Sequence, residues 1–188
     1  MYVLLWLTTS CRHCVYSQAM SLSHTFLAIL DRGPQHGYAL KQEFDDWFGL
    51  GRPLKSGQVY ATLARLDREH LAEVVTVEAG AGPERKRYAI TPEGVTELEA
   101  WLSATPMSVD IGLGSMYARV VAALLSGRSP GDVLRAQRAV HLEQMRNLRR
   151  KTPAGIEQAL AADYSIAHLQ ADLDWIELAG ARIESWRP

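Results

Sequence analysis

KSGQVYATLARLD at residues 55–67, EVVTVEA at 73–79 and RKRYAI at 85–90 are the runs that decide the fold. In the first, Val59, Leu63 and Leu66 recur at helical spacing and define a buried face. Gln58, Thr62 and Arg65 repeat at the same spacing and are expected to form a polar row on the other face. Ser56 is the expected N-cap. The period then changes: residues 73–79 are β-branched and strand-like, and 85–90 alternate outward and inward. Gly80-Ala81-Gly82-Pro83 supplies a turn between them. The runs predict a helix followed by a hairpin whose return strand is basic.

Working towards the N-terminus, Leu40, Phe44 and Trp47 give residues 36–47 an apolar helical stripe. Residues 22–30 predict a short apolar helix, stopped by Asp31-Arg32-Gly33-Pro34. After the hairpin, Thr91-Pro92-Glu93 opens a fourth helix running to about Ser103, with threonine as cap and proline at the first helical position. Three helices, a hairpin and a helix are the order of a winged helix-turn-helix, assigned to residues 20–104. The start, MYVLLWL, is too short to span a bilayer. Residues 1–19 are expected to be a disordered arm or a start-site extension, with Met20 close to the natural start. Cys11 and Cys14 cannot staple a secreted fold, and no second ligand pair completes a zinc site. The expectation is a cytoplasmic protein without metal or cofactor, and without a membrane partner.

Towards the C-terminus, residues 105–115 are rich in Pro, Gly and Ser and form the expected linker. Residues 116–188 are expected to be a helical dimerisation domain. Met116–Leu125 gives a short helix closed by Gly127. Ser129-Pro130-Gly131-Asp132 caps a long one through Arg150, and Thr152-Pro153 opens a last one from Ala154 to about Ser185. This last helix carries two apolar stripes. One runs Leu160, Tyr164, Ala167, Ala171, Trp175, Leu178; the other runs Ile166, Leu169, Leu173, Ile176, Gly180, Ile183. They lie on nearly opposite faces, because two residues turn a helix by about 200°. Such a helix needs a second partner besides its own chain, and a homodimer supplies it. Leu169, Leu173, Ile176 and Ile183 are assigned to dimerisation. Tyr164 and Trp175 are candidates for a pocket that takes a small aromatic ligand.

The chain of 188 residues is 47% hydrophobic and 22% charged, with net charge −1. Any affinity for nucleic acid must therefore come from local placement of positive charge. Lys55, Ser56, Gln58, Tyr60, Thr62 and Arg65 have the side chains a recognition helix uses on base edges and phosphates. Arg85, Lys86 and Arg87 on the wing suit the DNA backbone or a minor groove. No Ser/His/Asp spacing, P-loop, Rossmann glycine pattern or HExxH occurs, so the chain does not read as an enzyme. The rival reading is a winged-helix protein-interaction module that does not bind DNA.

HGYALKQEF, SGQVYATLARLDREHL and GPERKRYAITPEG resemble the PadR family of transcriptional regulators in order, spacing and residue type, and LDWIELAGARIESW at 173–186 is similar to its dimerising terminal helix. The resemblance covers residues 20–188. It implies a mainly α fold with a small β-hairpin, a winged helix-turn-helix plus a C-terminal helical dimerisation domain. It also implies a homodimer on an inverted repeat in double-stranded DNA, commonly repressing a nearby gene, and in some members released by a phenolic acid or drug-like aromatic molecule. DNA roles for Tyr60, Arg85 and Arg87 follow from the resemblance. Two positions depart from the family pattern: Ala61 stands where proline is frequent, and His70 where glycine is usual. Histidine tolerates positive φ better than bulkier residues do, so the fold is expected to survive.

Overall fold

Residues 22–30 form helix α1, and every residue from Ser23 to Leu30 is buried. The structure, a computed structural model, describes residues 22–48, 53–78, 85–104 and 113–185, with side chains of the last stretch from Met116 onward. The expected arm at 1–19 and the turn at 80–83 lie outside the described residues. Enclosing α1 buries three polar side chains, which is costly unless each finds a partner. Thr25 Oγ1 donates to the Leu22 carbonyl at 2.9 Å, and the Ser23 hydroxyl accepts from Arg65. His24 Nε2 lies 3.0 Å from Glu97 Oε1, and its ring stacks on Trp101 with centroids 4.8 Å apart.

The elements that follow are β1 (Gln35–His36), α2 (Gly37–Phe48), α3 (Ser56–Arg68), β2 (Ala72–Glu78), β3 (Arg85–Ile90) and α4 (Pro92–Ser103). Mostly helical with a small antiparallel sheet, this is the winged helix that the sequence predicts. The sheet has three strands, in the order β1-β3-β2. His36 of β1 falls at the start of the expected helix, because two residues carry too little pattern to read as a strand. It pairs Gln35 with Tyr88 and His36 with Arg87, which makes β3 the central strand. Between β2 and β3 the register passes from Val74↔Tyr88 to Thr76↔Arg87, so Val75 is the extra residue of a bulge. On α2, Trp47 is about half exposed, contrary to the expected stripe. Phe48 stacks on Phe44, which in turn packs edge-on against Phe26.

The turn from α3 into β2 places His70 at φ 57, the left-handed conformation in which glycine would be unstrained. Thr91 Oγ1 donates to the His70 carbonyl at 2.6 Å and accepts from Gly94 N at 3.0 Å, capping α4 as the sequence suggests. A Cβ on Gly94 would lie 2.0 Å from the Leu71 carbonyl oxygen, so only glycine lets α4 sit against this turn.

The chain divides into two compact units. The first runs to Leu102 and takes in Val121–Arg128; the second comprises Ser103–Val120 and the chain from Ser129 onward. Helix α5 (Leu113–Leu125) begins within the stretch expected to be a linker and is shared between the units. In the first unit, Arg128 bridges Asp31 at 2.6 Å and Glu99 at 3.1 Å. Burial works against its charge, but the two carboxylates outweigh it and raise its pKa. The second unit is built on α6 (Pro130–Arg150) and α7 (Ile156–Ser185). Ser129 caps α6 by accepting from Asp132 N, with Pro130 in the first turn. Helix α7 starts two residues later than expected. His141 pairs with Asp172 at 3.0 Å and Arg138 with Glu177 at 3.6 Å, and Leu134 lies beside Gly180. These pairings run in opposite directions along the two helices, which are therefore antiparallel.

Candidate nucleic-acid interface

Helix α3 buries Val59, Leu63 and Leu66 as its period requires. Its solvent face is made by Gly57, Tyr60, Ala61, Ala64, Asp67 and Arg68, with Ser56 and Gln58 exposed in the first turn. The expected polar row is only partly outside. Thr62 is buried and its hydroxyl donates to the Gln58 carbonyl at 2.8 Å. Arg65 is half-buried and donates to Ser23 on α1. Helical spacing fixes which residues share a face, not how far that face turns outward, and Arg68 rather than Arg65 is the arginine on the exposed arc.

The start of α3 is held from two sides. Its N-cap is Lys55, with Ser56 the first helical residue. No side chain of Lys55 or Ser56 makes the cap; instead Gln58 Oε1 accepts from the Lys55 backbone N–H at 3.1 Å. Asp45 on α2 accepts from Leu54 N at 2.8 Å and pairs with Lys41 at 2.5 Å. Burial favours the neutral acid at Asp45, yet the bonds from Lys41 and Leu54 prevail and lower its pKa. Lys55, Ser56 and Gln58 are thus exposed at the positive end of the helix dipole, where phosphate is favoured.

On the wing, Arg85 and Lys86 are exposed, while Arg87 turns inward and donates to the Pro34 carbonyl at 3.0 Å. Arg87 thereby braces β3 against the start of β1 while keeping its positive charge. His36 braces the same strand, with Nδ1 3.3 Å from the Lys86 carbonyl and Nε2 3.6 Å from Glu78. Glu78 sits opposite Arg85 in the register and offsets part of the basic charge. Val75 and Val77 are exposed beside these cations.

One residue missing from the sequence-based list is Tyr38, in the first turn of α2. It is 67% exposed, and its hydroxyl accepts from Gln42 at 3.1 Å. The available signal was an aromatic residue on the polar side of the α2 stripe. Tyr60 is likewise 55% exposed. It lies near enough to Tyr88 on β3 to add to the rise in that phenol's pKa, behind burial and Asp67. Among the described residues no group of His, Cys, Asp and Glu is arranged to hold a metal ion, and no helix is long and apolar enough to cross a membrane.

Residues 26–100, from α1 through α4, match the model of the transcriptional regulator PadR-like family. These residues form a PadR-like domain. The probable transcriptional regulator Rv1176c of Mycobacterium tuberculosis is 26% identical over 189 residues, covering 89% of this chain and 100% of that protein. The negative transcriptional regulator PadR of Bacillus subtilis is 31% identical over 81 residues, 43% of this chain and 44% of the relative. The crystal structure of Bacillus subtilis PadR in complex with operator DNA aligns with a TM-score of 0.43 at 22% identity, covering 86% of this chain and 98% of that one. Over that domain the chain is similar to PadR-like transcriptional regulators.

The residues expected to dimerise sit on the side of α7 that is buried within its own chain. Leu169, Leu173 and Ile176 are buried on α7 within a single chain, and Ile183 is half-buried. The opposite stripe faces solvent: Leu160, Tyr164 and Leu178 are each more than half exposed, as is Ile156. Both stripes were legible, but the sequence does not say which one α6 covers. Tyr164 stacks on His168, with centroids 4.0 Å apart, and Trp175 is half-buried. Eleven residues separate Tyr164 from Trp175, about 16 Å along the helix. One chain therefore does not bring them together around a small flat ligand.

Proposed function

We propose that the chain is a PadR-like regulator that binds double-stranded DNA at a specific inverted-repeat operator as a homodimer, represses transcription there and is released by a small aromatic effector. The observation that carries the reading is the exposed face of α3. Tyr60 and Arg68 project from it, Ser56 and Gln58 flank its first turn, and Arg85 and Lys86 stand on the wing of the same unit. Base edges would meet the helix, and phosphates the wing and the α3 N-terminus. Repression takes its support from the similarity to the negative regulator of Bacillus subtilis.

The homodimer is supported by the outward stripe of α7. Leu160, Tyr164 and Leu178 would each gain roughly 1.5–3 kcal/mol on full burial, and a second copy offers the same stripe across a two-fold axis. An aromatic effector would meet Tyr164 or Trp175 from one chain, and both only where the partner's α7 lies alongside.

Selection from a random pool of duplexes tests the central reading. A recovered inverted repeat, bound far more tightly than a scrambled duplex, is the expected result. If the protein enriches no sequence and retards all duplexes alike or none, the specific DNA role falls and the protein-interaction reading replaces it.

A further inference from the structure

Gly37 opens α2 and is buried, yet its backbone does not call for glycine: the described glycines with positive φ are Gly33 and Gly127. The constraint is the space beside it. A Cβ on Gly37 would lie 3.0 Å from Tyr60 Cε1, 3.5 Å from its Cζ and 3.3 Å from Leu63 Cδ1. The Tyr60 ring therefore rests on the α2 backbone, nearer than a methyl group permits without displacement. Around Tyr60 on the exposed face of its own helix stand Gly57, Ala61 and Ala64. None is long enough to support a half-exposed ring, so the seat comes from α2.

We infer that Gly37 is a positioning residue for DNA recognition: by lacking a side chain, it lets the Tyr60 ring dock on α2 and holds the phenol in place before DNA arrives. The inference rests on the reading of α3 as the DNA-binding helix. Holding a contact group in its bound position reduces the ordering that binding would otherwise require. A methyl group at position 37 moves the ring by a few tenths of an ångström and also presses on buried Leu63. The effect on stability and the effect on recognition must therefore be separated.

A double-mutant cycle separates them. Gly37→Ala, Tyr60→Ala and the pair are compared on a duplex selected from a random pool by the unmodified protein, with thermal unfolding measured alongside. With Tyr60 present, Gly37→Ala should weaken binding about threefold to tenfold, in the range of couplings between touching residues. In the Tyr60→Ala background it should change binding by less than about twofold, while its effect on Tm persists through Leu63. Equal losses of affinity in both backgrounds would assign Gly37 a purely structural role and overturn the inference, leaving the DNA reading intact. If no duplex is selected, the DNA reading falls and the inference with it. Independently of the variants, a nuclear Overhauser contact between the Gly37 α-protons and the Tyr60 ring is expected in the unmodified protein, and its absence overturns the seating.

Discussion

Arg65 donates to the Ser23 hydroxyl across 42 residues of sequence, and that bond decides what its loss would do. Arg65→Ala should remove a hydrogen bond to a charged group at a half-buried site, lowering unfolding stability by about 1–2 kcal/mol. Its binding to a selected and to a scrambled duplex should change by the same small factor. Denaturant melts and titrations on both duplexes check this. Unchanged stability with a loss confined to the selected duplex would show that Arg65 reads a base instead. Local pattern could place Val59, Leu63 and Leu66 because burial follows the helical period. It could not place Arg65, whose partner lies on another helix. His70 was legible for a different reason: a side chain tolerant of left-handed backbone stands at a turn where φ is 57.

At the scale of elements, the wing and α7 each carry residues whose roles divide by orientation. Arg85 and Lys86 point to solvent, so if they meet phosphates Arg85→Ala and Lys86→Ala should each reduce the slope of log K against log salt by about 1. Arg87→Ala breaks the bond to Pro34 and should cost stability while leaving the slope unchanged. Slopes that fall equally for all three would contradict that division. On α7, Leu173→Glu places a charge in the packing within the chain and should cost on the order of 3–5 kcal/mol, seen as loss of helical circular dichroism or insolubility. Leu160→Glu and Leu178→Glu sit on the outward stripe and should leave the fold intact while light scattering reports monomers. Dimers that survive both outward substitutions would place the subunit contact elsewhere. The sequence displayed both stripes but not their assignment, because two opposite apolar faces are equivalent until a neighbouring helix covers one. β1 escaped notice for want of length, since two residues show no alternation.

At the scale of the whole molecule, the family resemblance was legible from the order, spacing and residue type of the motifs, while the geometry of the proposed operator follows from symmetry. Two copies of α3 related by a two-fold axis require half-sites in opposite orientation. If both helices enter successive major grooves on one side of the duplex, the half-site centres lie about 10 bp apart, or a multiple of that. Inserting about 5 bp between the half-sites rotates one of them by half a turn, away from the subunit that reads it. The second subunit then keeps only its contacts to the phosphate backbone, and affinity should fall towards that for a scrambled duplex. An insertion of about 10 bp restores the rotational phase but lengthens the span, so it should bind more tightly than the half-turn insertion and less tightly than the unaltered operator. Footprints on the three duplexes provide the measurement: two protected half-sites on the unaltered operator, and weakened protection of at least one half-site after the half-turn insertion. A single asymmetric footprint, indifferent to both insertions, would mean that one subunit binds alone and that the two-fold plays no part in recognition.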